Sequence, residues 1–448
     1  MKYAAQEEVQ ITQSWLGTLP NGWVTKRLKY ISTINDETLP ETTDPDYEML
    51  YVDIGSVDAT EGIQKKEPMI FETAPSRARR VVQDGDTIVS TVRTYLRAVA
   101  PIRNSEQNLI VSTGFAVIRP KGIDPHYLAY SLRSSYFIET VVSRSVGVSY
   151  PATNPTDVSC IELPLPPVEE QQTIARFLDA KTAQIDALVA QKQQLIAKLK
   201  EKRSALIART VTRGLPPEAA KAAGLEPNPE MKDSGVDWLG AIPRHWRTTR
   251  LKYATNRIID CPHDTPLYDP AGSYLVVRTA DLDSGTLDLS RAYRVDESEY
   301  LRRIRRAKIV QNDILYGREG ERWGYAALAP KETTICLGQR MMQFQASVRF
   351  DSGFLMWHLN ARSVYEQGTL DVAGSTAPHV NVETIRNYLL AEPPLGEQTA
   401  IAAFIGLQTM QLDRLVAQIN EAITRLTEYR QALITSTVTG KIDVRGLA

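Results

Sequence analysis

The chain has 448 residues, 43% hydrophobic and 23% charged, with 52 Lys and Arg against 53 Asp and Glu for a net charge of −1. This is ordinary soluble composition in a length too great for one core, and the near-neutral balance excludes a uniformly basic coat, so any nucleic-acid surface has to be a local patch. No apolar run approaches the ~18–20 residues of a membrane span and no charged-then-apolar leader opens the chain; Cys160, Cys261 and Cys336, odd in number and far apart, suit a reducing cytoplasm.

Residues 1–13 read as a polar N-terminal extension. A first domain, 14–165, opens with Trp15-Leu16-Gly17, Pro20 and Trp23, followed by Arg27-Leu28-Lys29-Tyr30. Short β-branched runs predict strands at 49–54, 87–92 and 116–118, with a turn at Asp84-Gly85-Asp86 and a closing helix over 126–140. Arg77, Arg79 and Arg80 precede that turn; Arg93 and Arg97 follow it. A small polar loop then carries Ser149, Tyr150 and Asn154. At Pro166, Pro167, Glu170 and Gln171 the pattern PP-x-x-EQ starts a long helix, 166–214, because Pro is tolerated in a first turn. Its seven-residue spacing of Ile185, Lys192, Leu199 and Leu206, with Leu188 and Leu195 alongside, predicts a narrow coiled-coil seam.

A proline-bearing linker, 215–236, leads to a second domain, 237–392, which opens with Trp238-Leu239-Gly240, Pro243, Trp246 and Arg250-Leu251-Lys252-Tyr253. Strands are predicted at 274–277, 309–316 and 342–346, and a helix at 354–366. Arg302, Arg303, Arg305 and Arg306 form a cluster, Arg318 and Arg322 follow the next turn, and a loop carries Ser375, Thr376, His379 and Asn381. PP-x-x-EQ then recurs at Pro393, Pro394, Glu397 and Gln398 and opens a second long helix, 393–440. Its seam is Leu412, Ile419, Leu426 and Leu433, with Leu415, Ala422 and Tyr429 beside it; residues 441–448 are a tail.

The two helical segments are near copies. Residues 166–213 and 393–440 align without a gap at an offset of 227, with 24 of 48 positions identical. The domains between them diverge strongly yet keep matching punctuation, so the chain alternates variable and constant parts. The fold class is α+β: two sheet-containing domains separated by long helices that pair as an antiparallel coiled coil, in a pseudo-twofold internal repeat. Two copies of one scaffold with different loops suggest two different targets read at a fixed separation.

Arginine offers a planar fork for phosphates and guanine edges, and Asn and Ser suit adenine edges or phosphates. The same arginines could equally form a solvated face paired with carboxylates such as Asp296, Glu297 and Glu299, and Gly, Pro and Asn in the loops could simply make tight turns. Catalytic signatures are missing. There is no Walker or dinucleotide loop, Gly317, Gly320 and Gly324 being wrongly spaced, and no H-E-x-x-H. Cys261-x-His263 stands without further ligands in sequence, so no metal site is expected. The chain reads as a binder and not a catalyst.

Two variable domains alternating with two near-identical helices, each helix opened by PP-x-x-EQ and each domain by W-L-G-x-x-P-x-x-W, resemble the specificity subunit of type I restriction-modification enzymes. The resemblance covers essentially the whole chain. It implies two target-recognition domains, each reading one half of a split, asymmetric site in double-stranded DNA, and helices that set the gap. It further implies that two adenine-methyltransferase subunits dock on the helices, with Pro166, Pro167, Glu170, Gln171, Pro393, Pro394, Glu397 and Gln398 as the family's motif positions. S-adenosylmethionine would then sit on the methyltransferase, and ATP and Mg on a motor-nuclease partner, with no cofactor on this chain. Repeated apolar helix residues such as Ile174, Phe177, Ile401 and Phe404 are expected to want a partner. The rival is a coiled-coil adaptor presenting two protein-binding domains.

Overall fold

The computed structural model describes residues 16–320, 322–331, 334–372 and 379–446. The N-terminal extension, Trp15, Ser375 and Thr376 lie outside these. The chain divides into two compact units, Met1–Lys192 with Glu421–Ala448, and Gln193–Asn420. Each unit therefore holds one variable domain, half of one long helix and half of the other. Among the described residues no helix is long and apolar enough to cross a membrane.

In the first unit two four-stranded sheets carry the domain. One has the order Glu67–Ile70, Glu48–Val52, Leu109–Ser112, Ala78–Val81, the central pair running parallel. The other has the order Ser32–Ile34, Phe115–Pro120, Thr87–Ser90, Val99–Pro101 and is antiparallel throughout. Thr87–Ser90 and Leu109–Ser112 are buried at every position, which explains why neither alternates apolar with charged residues. The turn before Thr87 is fixed by Asp86, whose carboxylate accepts from the Gln83 amide and takes both forks of Arg119 at 3.0 Å. Val24–Arg27 pairs with Glu162–Leu165, so the first and last strands of the domain meet where the long helix begins.

The second unit repeats this plan. Thr255–Asp260, Met341–Ala346, Ile314–Gly317 and Ala326–Leu328 form the four-stranded sheet, and Tyr293–Val295, Tyr274–Val277 and Ile335–Leu337 a three-stranded one with the same parallel pair. Arg247–Arg250 closes on Leu389–Glu392. Asp313 accepts from the Val310 amide as Asp86 does from Gln83, 227 residues earlier.

Three expectations change in detail. The helix expected over 126–140 is two, Pro125–Leu132 and Ser135–Ser143, because Ser134 breaks the first and caps the second through the Phe137 amide. The helix expected over 354–366 is likewise Ser352–Leu359 and Arg362–Val372. The stretch read as a linker is partly regular: it holds a short helix, Pro217–Ala222, and a strand, Met231–Asp233, paired with Ala241–Pro243.

The long helices, Val168–Arg213 and Leu395–Val438, run antiparallel in each unit. In the first unit Arg430 reaches Asp186 at 2.8 Å; in the second Arg203 reaches Asp413 at 3.0 Å. The partly or fully buried stripe is Ile185, Val189, Lys192, Ile196, Leu199, Arg203, Leu206, alternating steps of four and three, and its counterpart runs from Leu412 to Leu433. This corrects the expected neighbours. Leu188, Leu195, Leu415 and Tyr429 stand exposed, and Val189, Ile196, Val416 and Ile423 take the seam. Ile174, Phe177 and Ile401 are buried in the cores of their own units and Phe404 is partly so, hence they need no outside partner.

Candidate functional site

The helix starts are internal clamps. The Gln171 side chain accepts from the Asp124 amide at 2.9 Å and donates to the Pro166 carbonyl at 2.8 Å. Gln398 does the same with the Asp351 amide and the Pro393 carbonyl and also donates to the Arg349 carbonyl. Asp124 and Asp351 each cap the adjoining helix with the carboxylate, through the Tyr127 and Phe354 amides. The motif Gln thus ties the long helix to the domain's own helix. Gln171, Gln398, Pro166 and Pro393 are buried and offer no docking face, a correction to their expected role; Pro167 and Pro394 are exposed. Glu397 accepts from the Trp246 indole at 3.1 Å and contacts His245, whereas Glu170 faces Arg445 at 4.0 Å.

The arginine clusters separate into structural and free groups. In the second unit Arg303 is fully buried, bound to Glu299, Asp264 and the Leu337 carbonyl, and cannot present its fork to DNA. Arg302 shares Glu299 and Asp264. Together they hold the Glu299 carboxyl below its usual range, Arg302 first, against the burial that would raise it. Arg318 is buried between Asp260 and Glu319, at 2.8 and 2.6 Å, which likewise take up its fork. Arg305, Arg306 and Arg322 are exposed, with Arg306 donating to the Asp260 carbonyl and Arg322 to that of Leu282. His379 pairs with Glu319 at 2.9 Å. The Asn381 side chain makes no cap bond; its amide donates to Asp371. The fold also brings Asp260 beside Cys261 and His263, their ligand atoms within 4.8 Å. That carboxylate is already shared between Arg318 and His263, which makes it part of an ion-pair network.

In the first unit Arg79 lies over the Phe71 ring and near Glu41, and burial lowers the Arg80 pKa while its fork donates to Thr38. Arg77 is exposed, 3.9 Å from Asp53. Asn154 caps the short helix Pro155–Ser159 through the Asp157 amide, a structural use of the residue. Ser149 and Tyr150 are exposed, and Arg93 lies over the Tyr150 ring at 5.2 Å. Arg97 pairs with Glu139 at 2.7 Å.

Sequence reading missed the backbone beneath these last residues. Arg93 and Arg97 have φ of 51° and 54°, the left-handed region, on either side of the turn Thr94–Leu96. That conformation costs a β-carbon-bearing residue roughly 1–2 kcal/mol. An exposed ion pair recovers about 0–1 kcal/mol and an exposed cation–π contact about 0.5–1 kcal/mol. The free protein therefore gains little by holding arginine there.

A family model described as "Type I restriction modification DNA specificity domain" matches residues 20–198 and 269–425. The chain belongs to that family. Relatives include the EcoKI specificity subunit of Escherichia coli strain K12, 20% identical over 96% of this chain and 91% of its own length. The EcoBI subunit of Escherichia coli is 23% identical, over 63% of this chain and 59% of its own length. The MjaX subunit of Methanocaldococcus jannaschii, a putative type I enzyme by name, is 20% identical over 98% of each. Two solved structures share the fold at 23% identity. One, from work on assembly and conformational transition of the type I R-M system, covers 95% of this chain and 100% of that one with a TM-score of 0.69. The other, the HsdS subunit from Thermoanaerobacter tengcongensis, covers 96% and 100% with a TM-score of 0.50. Membership in this specificity-subunit family decides against the protein-adaptor reading.

Proposed function

We propose that this specificity subunit is the non-catalytic DNA reader of a type I restriction-modification complex, each domain reading one half of a split, asymmetric site. The helices set the gap between halves and dock adenine-methyltransferase subunits, which bring S-adenosylmethionine; a motor-nuclease using ATP and Mg would add cleavage. The duplication carries this reading. Matching strand pairings, turn aspartates and Gln clamps occur in both units, while the exposed turns and loops differ in residue and charge. A shared scaffold with two different surfaces suits two half-sites. Phosphate contacts supplied by partners would offset the chain's neutral charge.

The test is co-expression with its candidate methyltransferase in a methylation-free host, with modified adenines mapped genome-wide. A split motif of constant gap is the expected result. An active, stable complex that methylates no such motif would overturn the proposal. Removing matching heptads from both long helices should shorten the gap and leave both half-sites; loss of a half-site with the gap unchanged would refute the spacer role.

A further inference from the structure

The two units share one turn at offset 227, and it differs in one telling way. In the first unit the Thr153 amide donates to the Thr91 carbonyl, and Leu96 to Arg93; in the second, Val380 donates to Arg318 and Trp323 to Gly320. The bridges Val92–Ala152 and Glu319–His379 also correspond. Both copies need left-handed backbone at the same two places. The second copy uses Gly320 and Gly324, φ 84° and 86°, the residue type that adopts it freely. The first uses Arg93 and Arg97.

Arginine is therefore dispensable for making the turn and unfavourable within it, and left-handed strain of this kind marks sites where a side chain is held for use. What the turn gains is display. Arg93, Tyr95 and Leu96 are exposed on its crest, and the facing loop exposes Val148 and Tyr150. Among the described residues Arg93 has no carboxylate partner, and its guanidinium carbon lies over the Tyr150 ring, 5.2 Å from the ring centroid. Arg97 is tethered by Glu139.

We infer that the turn of residues 91–97 is the base-reading element of the first domain, with Arg93 the specificity-determining residue for a guanine through its O6 and N7 acceptors. The inference rests on the DNA-reading function proposed above. A planar fork matches that pair of acceptors in the major groove, and a fork already resting on a ring loses less freedom on binding. Arg97, held by its acid, serves as a phosphate contact that sets the register of the turn.

The experiment uses the full chain with its methyltransferase. The wild-type motif is mapped first, and Arg93→Gly, Arg93→Lys and Arg97→Gly are then compared by methylome and by binding to duplexes carrying each single base change. Arg93→Gly should melt no lower than wild type, because glycine fits the turn. It should also lose a guanine preference of ~5- to 150-fold at one position of one half-site. Arg93→Lys should lose the same preference while keeping more of the affinity, since it retains charge without the fork. Arg97→Gly should weaken all sequences alike. An unchanged motif in Arg93→Gly, or a uniform loss of affinity without change of motif, would overturn the assignment and leave the proposed function standing. No split motif from the wild-type complex would remove both.

Discussion

Replacing Gln398 should destabilise the second unit more than replacing Gln171 destabilises the first, and the difference follows from a count of stranded groups. Gln398→Met keeps most of the side-chain volume and removes every hydrogen bond. It leaves the Asp351 amide and the Arg349 and Pro393 carbonyls without their partner, whereas Gln171→Met strands the Asp124 amide and the Pro166 carbonyl. Both side chains are buried. An unsatisfied buried group costs about 1–3 kcal/mol, and because Asp124, Asp351 and Arg349 are not themselves fully buried the low end applies: about 3 kcal/mol for Gln398 and about 2 for Gln171. For a unit of this size those figures correspond to melting shifts of about 6–12 °C and about 4–8 °C. Gln398→Glu should not rescue, because a carboxylate can accept from Asp351 but faces two carbonyls it cannot bond. Scanning calorimetry of the three variants, with hydrogen exchange at the Asp351 and Asp124 amides, makes the comparison. A Gln398→Met protein that melts with wild type and keeps Asp351 protected would refute the clamp, as would a larger effect at Gln171.

Two further outcomes follow from buried charge and burial itself. Arg303→Met takes one of two arginines from buried Glu299, which keeps Arg302, and strands the Leu337 carbonyl, so it should cost about 1–3 kcal/mol, whereas Arg305→Ala on the exposed side should move stability by less than about 0.5 kcal/mol; equal effects on melting would contradict the sorting of this cluster. His358 is fully buried, its Nε2 accepts from the Ala391 amide, and burial pushes its pKa down to about 4. Because the unfolded ring titrates near 6.5, the unfolded state binds more protons between those values. Stability is therefore full above about pH 6.5 and declines by up to about 3 kcal/mol as pH falls toward 4. Melting of wild type and His358→Gln across pH 4–7 checks the sign, and identical slopes would refute it.

The repeat, the helices and the α+β class were legible because each is a local or periodic signal. The seam was legible only in part. Leu188 and Val189 are both apolar and both sit within one helical turn of Ile185. Which of them faces the partner depends on the partner's path, a long-range fact, and the larger leucine is the one left exposed. Arg203 and Arg430 were invisible as seam residues because an apolar pattern excludes charge, and their acids, Asp413 and Asp186, lie on the other helix. A local signal did exist for Arg302 and Arg303: Glu299 stands three and four residues before them, the helical pairing distance. For Arg93 and Arg97 the signal was the mismatch with Gly320 and Gly324 once the offset is carried through the variable domains.

The positions of the clamps and of the turn also separate two jobs physically. The Gln clamp binds the start of the long helix to the capping aspartate of the domain's own helix, and its contacts are all with backbone. The turn is fastened at residue 91, or 318, to the strand-side of the facing loop, again by backbone. No side chain belongs to both sets. Exposed residues between the fastenings can therefore change without disturbing the helix start, and the Gly-for-Arg difference between copies is an instance of such a change in a shared backbone. In a reader whose gap is set by helices, that separation lets base preference alter at a half-site while spacing is retained.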